Sequence, residues 1–147
     1  MAVDATAVGR TFAPHSYAVG REKVREYARA VGEGDPRCLD LDAARAAGHP
    51  DLLAPPMFAV VYCAAAIEEA MLDPAVGLDF AMLVHGGQEF EWGPLVCAGD
   101  EITTRVRFAN LSERLGMAFY VFESESVNDA GEVVCRGRWT QIVRPRE

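Results

Sequence analysis

The stretch Met57-Phe-Ala-Val-Val-Tyr-Cys-Ala-Ala-Ala-Ile-Glu-Glu-Ala-Met71 decides the fold. It holds neither proline nor glycine, and from Phe58 to Ile67 it has almost no polar face. A helix that is apolar nearly all round is a buried one. This apolar run is too short to cross a bilayer, which takes about 20 residues, and Glu68 and Glu69 end it with charge. Something in the rest of the chain must therefore wrap around it.

Downstream, Asp73, Pro74 and Gly77 break the helical period, and four stretches rich in β-branched and aromatic residues follow: Met82 to Trp92, Glu101 to Leu111, Met117 to Val127 and Glu132 to Val143. Turn residues separate them at Gly99-Asp100, Ser112 to Gly116 and Asn128-Asp129-Ala130-Gly131. These four strands are expected to form an antiparallel meander. Upstream, Thr11 to Val19 reads as a short strand or extended arm punctuated by Gly20. Arg21 to Val31 is an amphipathic helix with Val24, Tyr27, Ala28 and Val31 on one face. Asp40 to Ala47 is a short second helix ended by Gly48, and Pro50, Pro55 and Pro56 stiffen the connection to the buried helix. The pattern is α+β: an antiparallel curved sheet around a central helix, in one domain spanning residues 1–147. Two such sheets joined edge to edge in a dimer would also cover an open strand edge.

Composition narrows the function. The chain is half hydrophobic and carries a net charge of -8, which disfavours a broad phosphate-binding surface, so no nucleic acid is expected as a partner. The N-terminus shows no basic segment followed by an apolar core, and with no membrane span the expected location is cytoplasmic. Cys38, Cys63, Cys97 and Cys135 lie at wide spacings without a CxxC pair and read as buried reduced thiols. His15, His49 and His85 lack the spacing that puts two imidazoles on one helix face, so neither a metal nor another cofactor is expected.

Three segments, in order, carry a family resemblance. They are Gly20-Arg-Glu-Lys-Val-Arg-Glu-Tyr-Ala-Arg-Ala-Val-Gly32 with Asp35-Pro36; Gly48-His-Pro-Asp-Leu-Leu-Ala-Pro-Pro-Met-Phe58; and Val84-His-Gly-Gly-Gln-Glu-Phe90 with Pro94-Leu-Val-Cys-Ala-Gly-Asp100. Together they resemble the MaoC-like dehydratases, in particular the N-terminal-type half of that family and the accessory subunit of two-chain (3R)-hydroxyacyl-ACP dehydratases. The resemblance implies a single hot-dog fold, an acyl thioester of coenzyme A or acyl carrier protein as substrate, and reversible hydration of a trans-2-enoyl thioester. That chemistry needs a carboxylate and imidazole to move protons at C3 and C2. It also needs a helix N-terminal amide facing the developing oxyanion, and an apolar channel for the chain.

The sequence departs from the family at both polar elements. The Asp of the family's D-x-N-P-x-H pattern falls on Asp35, but its His position is Asp40, a carboxylate that repels Asp35 where the family has an imidazole to shuttle protons. Where active members show an A-H-G-M-like segment, this chain has Ala54-Pro55-Pro56-Met57, and Pro56 has no N–H to donate. The amide of Met57 or Phe58 is left as a substitute. Asp35 reads either as a residual catalytic group or as a turn or helix-cap residue beside Pro36. No catalytic residue is assigned.

The residues expected at the substrate are Pro56, Met57, Phe58, Tyr62, His85, Gln88 and Phe90. Phe58, Tyr62, Phe90 and Trp92 serve equally well as plain core, His49 as a loop residue, and His85 as a strand end. Arg105, Arg107 and Arg114 read as a solvated strand face rather than phosphate ligands. The expected function is an acyl-thioester-binding subunit that forms a heterodimer with a catalytic hot-dog chain. The alternatives are a self-sufficient homodimeric enoyl-CoA hydratase or thioesterase, and a non-enzymatic acyl-thioester binding module.

Overall fold

A computed structural model describes residues 5–146, so residues 1–4 and 147 of the expected domain lie outside the described residues. Five strands, β1 (His15–Ala18), β2 (Leu83–Trp92), β3 (Glu101–Arg114), β4 (Met117–Val127) and β5 (Val133–Val143), make one antiparallel sheet in the order β1-β3-β4-β5-β2. Helices α1 (Arg21–Ala30) and α2 (Leu41–Ala46) precede the central helical segment. The result is the expected hot-dog arrangement of a curved sheet around one helix.

The four-strand meander is corrected. Strands β3, β4 and β5 follow one another by hairpins, but β2 pairs with β5, not with β3. The reason lies in the connection from Gly93 to Asp100, which is no tight turn. Its Cys97 bridges to Leu53, Ala54 N–H donates to the Val96 carbonyl at 2.9 Å, and Ala98 N–H donates to the Leu52 carbonyl at 2.9 Å. Bonded to the chain that leads into the central helix, this segment carries the polypeptide from one side of the sheet to the other. Strand β2 is left at an edge, with β1 at the opposite one.

The β3–β4 hairpin is tighter than expected. Its strands run on to the Arg114–Met117 pair, leaving only Leu115 and Gly116 as the turn. Both have positive φ, 53° and 75°, the two-residue geometry whose twist matches that of the strands.

The central helix is broken into a 3-10 turn at Pro56–Phe58, α3 (Ala59–Tyr62) and α4 (Ala64–Leu72). The ladder persists through the joint, since Cys63 N–H donates to Ala59 and Ile67 N–H to Cys63. The expectation of all-round burial is also corrected. Phe58, Ala59, Tyr62, Cys63, Ala66 and Ala70 are buried, whereas Ala64, Ala65, Glu68 and Glu69 are exposed. The sheet covers one side only, and the small alanines on the other side leave little apolar surface to hide.

Beneath the helix the sheet buries aromatics, with Phe108 stacked on Phe122 at 5.1 Å and on Tyr120 at 5.8 Å. It also buries hydroxyls. Thr104 and Ser126 lie opposite each other with their oxygens 2.8 Å apart, Cys63 Sγ reaches Ser126 Oγ at 3.5 Å, and Trp139 Nε1 donates to Ser124 Oγ at 2.9 Å. Each of these buried hydroxyls thus has a partner, as an interior requires. All four cysteines are free and buried. Among the described residues no helix is long and apolar enough to cross a membrane.

Candidate functional site at the helix start and the edge strand

Two consecutive prolines fix the entry to the central helix, and neither has an amide proton. The Phe58 N–H donates to the Pro55 carbonyl at 2.9 Å and closes the 3-10 turn. Of the two amides left by the sequence, the one at Met57 makes no backbone hydrogen bond among the described residues. The Met57 side chain is 44% exposed beside it. Trp92, at the end of β2, is 49% exposed, and its indole donates to the Pro56 carbonyl oxygen at 2.9 Å. Helix start and edge strand are therefore one locality.

The inner face of β2 continues this surface. Phe90 lies 5.8 Å from Trp92 and meets Trp139 edge to face at 5.4 Å. It fits because its partner on β5 is Gly137, where a Cβ would sit 3.0 Å from the Phe90 ring. Gln88 donates to the Arg138 carbonyl at 3.2 Å, while its buried Oε1 has no hydrogen-bond partner. Exposed His85 places Nδ1 3.2 Å from Nε2 of Gln141, an amide that is 5% exposed. An amide N–H donor makes that Nδ1 the acceptor and puts the imidazole proton on Nε2.

Phe58 and Tyr62 sit deeper. The Phe58 ring is fully buried among Tyr27 at 5.5 Å, Tyr17 at 6.3 Å and Tyr62 at 6.3 Å, and within this chain alone it is core. Burial raises the Tyr62 phenol, so it stays neutral and is no proton carrier near pH 7. The seven residues expected at the substrate thus divide. Pro56, Met57, His85, Gln88 and Phe90 lie along the helix start and β2, with Phe58 and Tyr62 behind them.

Asp35 and Asp40 are occupied by local structure. Asp35 caps the short 3-10 turn Pro36–Cys38 by accepting the Arg37 N–H at 2.9 Å. Its two oxygens also take the Arg37 guanidinium at 2.6–3.0 Å. These bonds hold its carboxyl below the usual carboxylate range, with a smaller contribution from the field of nearby His49. A carboxylate so stabilised is a weaker base. Asp40 is exposed and caps α2, accepting the Ala43 N–H at 2.7 Å. Among the described residues no hydrogen bond or ion pair joins His85 to either aspartate. His15 is elsewhere, bonded to Glu69 on the exposed side of α4.

Sequence reasoning missed Arg37, Gln141 and the Trp92 indole bond. The alternation of β5 marked Gln141 as inward, beside Trp139, but only the β2–β5 pairing brings it to His85. Arg105 and Arg107 lie on the outer face of the sheet, and Arg107 pairs with Glu123 at 2.7 Å.

A curved antiparallel sheet wrapped around one helix, with its edge strand pinned to the helix start, defines the hot-dog class of chains. Residues 6–136 match the family described as FAS1-like, dehydratase domain region, and the chain belongs to this MaoC-like dehydratase family. A UPF0336 protein of Streptomyces coelicolor is 40% identical over 144 residues, covering 97% of this chain and 95% of the relative. One from Saccharopolyspora erythraea is 39% identical over 145 residues, covering 98% and 93%. Among solved structures, a MaoC-like dehydratase superposes with a TM-score of 0.84 at 29% identity; it covers 95% of this chain, which spans only 43% of that longer one. The truncated HadBC complex of Mycobacterium tuberculosis, a (3R)-hydroxyacyl-ACP dehydratase, gives a TM-score of 0.77 at 30% identity, covering 92% and 96%.

Proposed function

We propose that this chain is the acyl-thioester-binding subunit of a (3R)-hydroxyacyl-thioester dehydratase, and that a partner hot-dog chain supplies the catalytic Asp and His. One observation carries the reading: both carboxylates at the family's catalytic positions are in structural use, Asp35 held by Arg37 and Asp40 capping α2. In the proposed complex the Met57 amide faces the thioester oxygen, where charge develops as water adds. Phe90 and Trp92 form the wall against which the acyl chain lies, and the partner's base activates water at C3. Similarity to a two-chain dehydratase complex supports this division of work.

The test is co-expression with a hot-dog chain that carries an intact D-x-N-P-x-H motif, followed by an assay with crotonyl-CoA and longer enoyl thioesters. Hydration by the mixed dimer and none by this chain alone is the expected result. Full turnover by this chain alone overturns it.

A second reading keeps catalysis within a homodimer that uses Asp35, His49 or His85 in an altered arrangement, and the exposed imidazole of His85 on β2 favours it. It requires the purified chain to turn over an enoyl thioester, and Asp35→Ala or His85→Ala to lower that turnover.

A further inference from the structure

Among the described residues no strand pairs with the far edge of β2, so its outward N–H and C=O groups are open to another strand. The side chains on the outer face of the sheet form two rows of alternating charge. In one row Arg107 of β3 stands opposite Glu123 of β4, Glu123 opposite Arg138 of β5, and Arg138 opposite Glu89 of β2. The neighbouring row runs Arg105, Glu125, Arg136, Glu91 in the same order.

The ion pairs do not follow these rows to the edge. Glu123 takes Arg107 at 2.7 Å and Arg138 at 3.1 Å, and Glu125 takes Arg136 at 3.2 Å. Both β5 arginines turn toward β4. Glu89 and Glu91, each directly opposite an arginine, make no ion pair or side-chain hydrogen bond among the described residues. The same strand leaves Val84 and Trp92 exposed and the Gln88 Oε1 unpartnered. An open edge that carries two unneutralised carboxylates beside apolar side chains is incomplete.

We infer that the β2 edge is coded by charge for a different chain, one whose own edge strand presents Lys or Arg opposite Glu89 and Glu91, and that it disfavours a second copy of itself. Antiparallel self-pairing through this segment would gather four carboxylates on one outward strip, directly or diagonally across the seam at about 5–8 Å, where like charges destabilise. A basic edge strand instead extends both rows by one more alternation. The inference rests on the partner chain proposed above and adds the chemistry by which that partner is chosen.

The experiment uses the full chain and needs no thioester. Wild type and Glu89→Lys/Glu91→Lys are run alone and as an equimolar mixture in sedimentation velocity, at about 0.05 M and about 1 M salt. The mixture is expected to associate at least about tenfold more tightly than either protein with itself, with the advantage lost at high salt. The neutral Glu89→Gln/Glu91→Gln variant should self-associate more tightly than wild type. Self-association of wild type equal to that of the mixture, no association in the mixture, or a Gln variant no better than wild type each overturns the inference. Those results leave the subunit reading intact, since that reading stands or falls on partner-dependent hydration.

Discussion

The indole N–H of Trp92 donates to the Pro56 carbonyl oxygen at 2.9 Å, so the free end of β2 is fastened to the first turn of the central helix. Through this bond the edge strand and the amide at Met57 hold a common geometry. Trp92→Phe keeps an aromatic ring but removes the donor. It should cost about 1 kcal/mol in chemical denaturation, the usual net worth of such a bond. An unchanged denaturation midpoint would show that packing alone holds the strand.

Leu115 occupies a left-handed turn position with φ of 53° while its side chain is 84% exposed, so it carries the strain of a Cβ in that region with no burial in return. Asparagine tolerates the conformation and is preferred before glycine in this turn. Leu115→Asn should therefore stabilise the chain by about 1 kcal/mol, raising the thermal midpoint by several degrees for a domain of this size.

Gly137 is required by what lies over it. An added Cβ would stand 2.5 Å from Ser124 Oγ and 2.7 Å from Trp139 Nε1, at the bond those two make, and 3.0 Å from Phe90. Gly137→Ala is expected to destabilise by about 1–3 kcal/mol, the range for overpacking a core. Displacement of Phe90 would also quench or shift the tryptophan fluorescence of the folded state, which a steady-state spectrum detects.

Acid should act on Asp35. Its folded carboxyl titrates below the unfolded value of about 3.9 because Arg37 stabilises the anion. The stability it contributes is thus fully present above that unfolded value and is lost as the pH falls through the folded one. Asp35→Asn keeps a helix-capping side chain but no charge. Urea midpoints should separate wild type from variant at pH 7, and the gap should shrink at an acid pH well below the unfolded value. A constant gap at both pH values would rule out the ion pair as its source.

Much of the fold could be read from local pattern, because each element answers to a local cause. The apolar run Phe58 to Ile67 announced the central helix, Asp40 announced the start of α2, and β-branched alternation located each strand to within a few residues. Strand order was less legible, since it depends on the bonds from Leu52 and Ala54 to residues 96 and 98, distant in sequence and carried by backbone atoms that any residue has. The same holds for the site. That residue 40 is an aspartate rather than a histidine, and that residue 56 is a proline without an amide proton, is visible as letters. The grip of Arg37 on Asp35 depends on a side-chain conformation, and the meeting of His85 with Gln141 on strand pairing. Burial of Thr104 and Ser126 was likewise hidden, because hydroxyl residues alternating with charges look solvated until a helix is placed over them.

That buried hydroxyl row makes β4 intolerant of misalignment. In Glu123-Ser124-Glu125-Ser126 the serines face the helix and the glutamates face water. Because side chains alternate faces, a slip of one residue against β3 and β5 would turn two carboxylates into the dry layer beneath Cys63, strand Thr104 without a partner and leave the arginines of β5 without theirs. A segment poor in apolar residues thereby discriminates between alignments more sharply than a valine-rich strand would, since a slipped valine strand still buries valines.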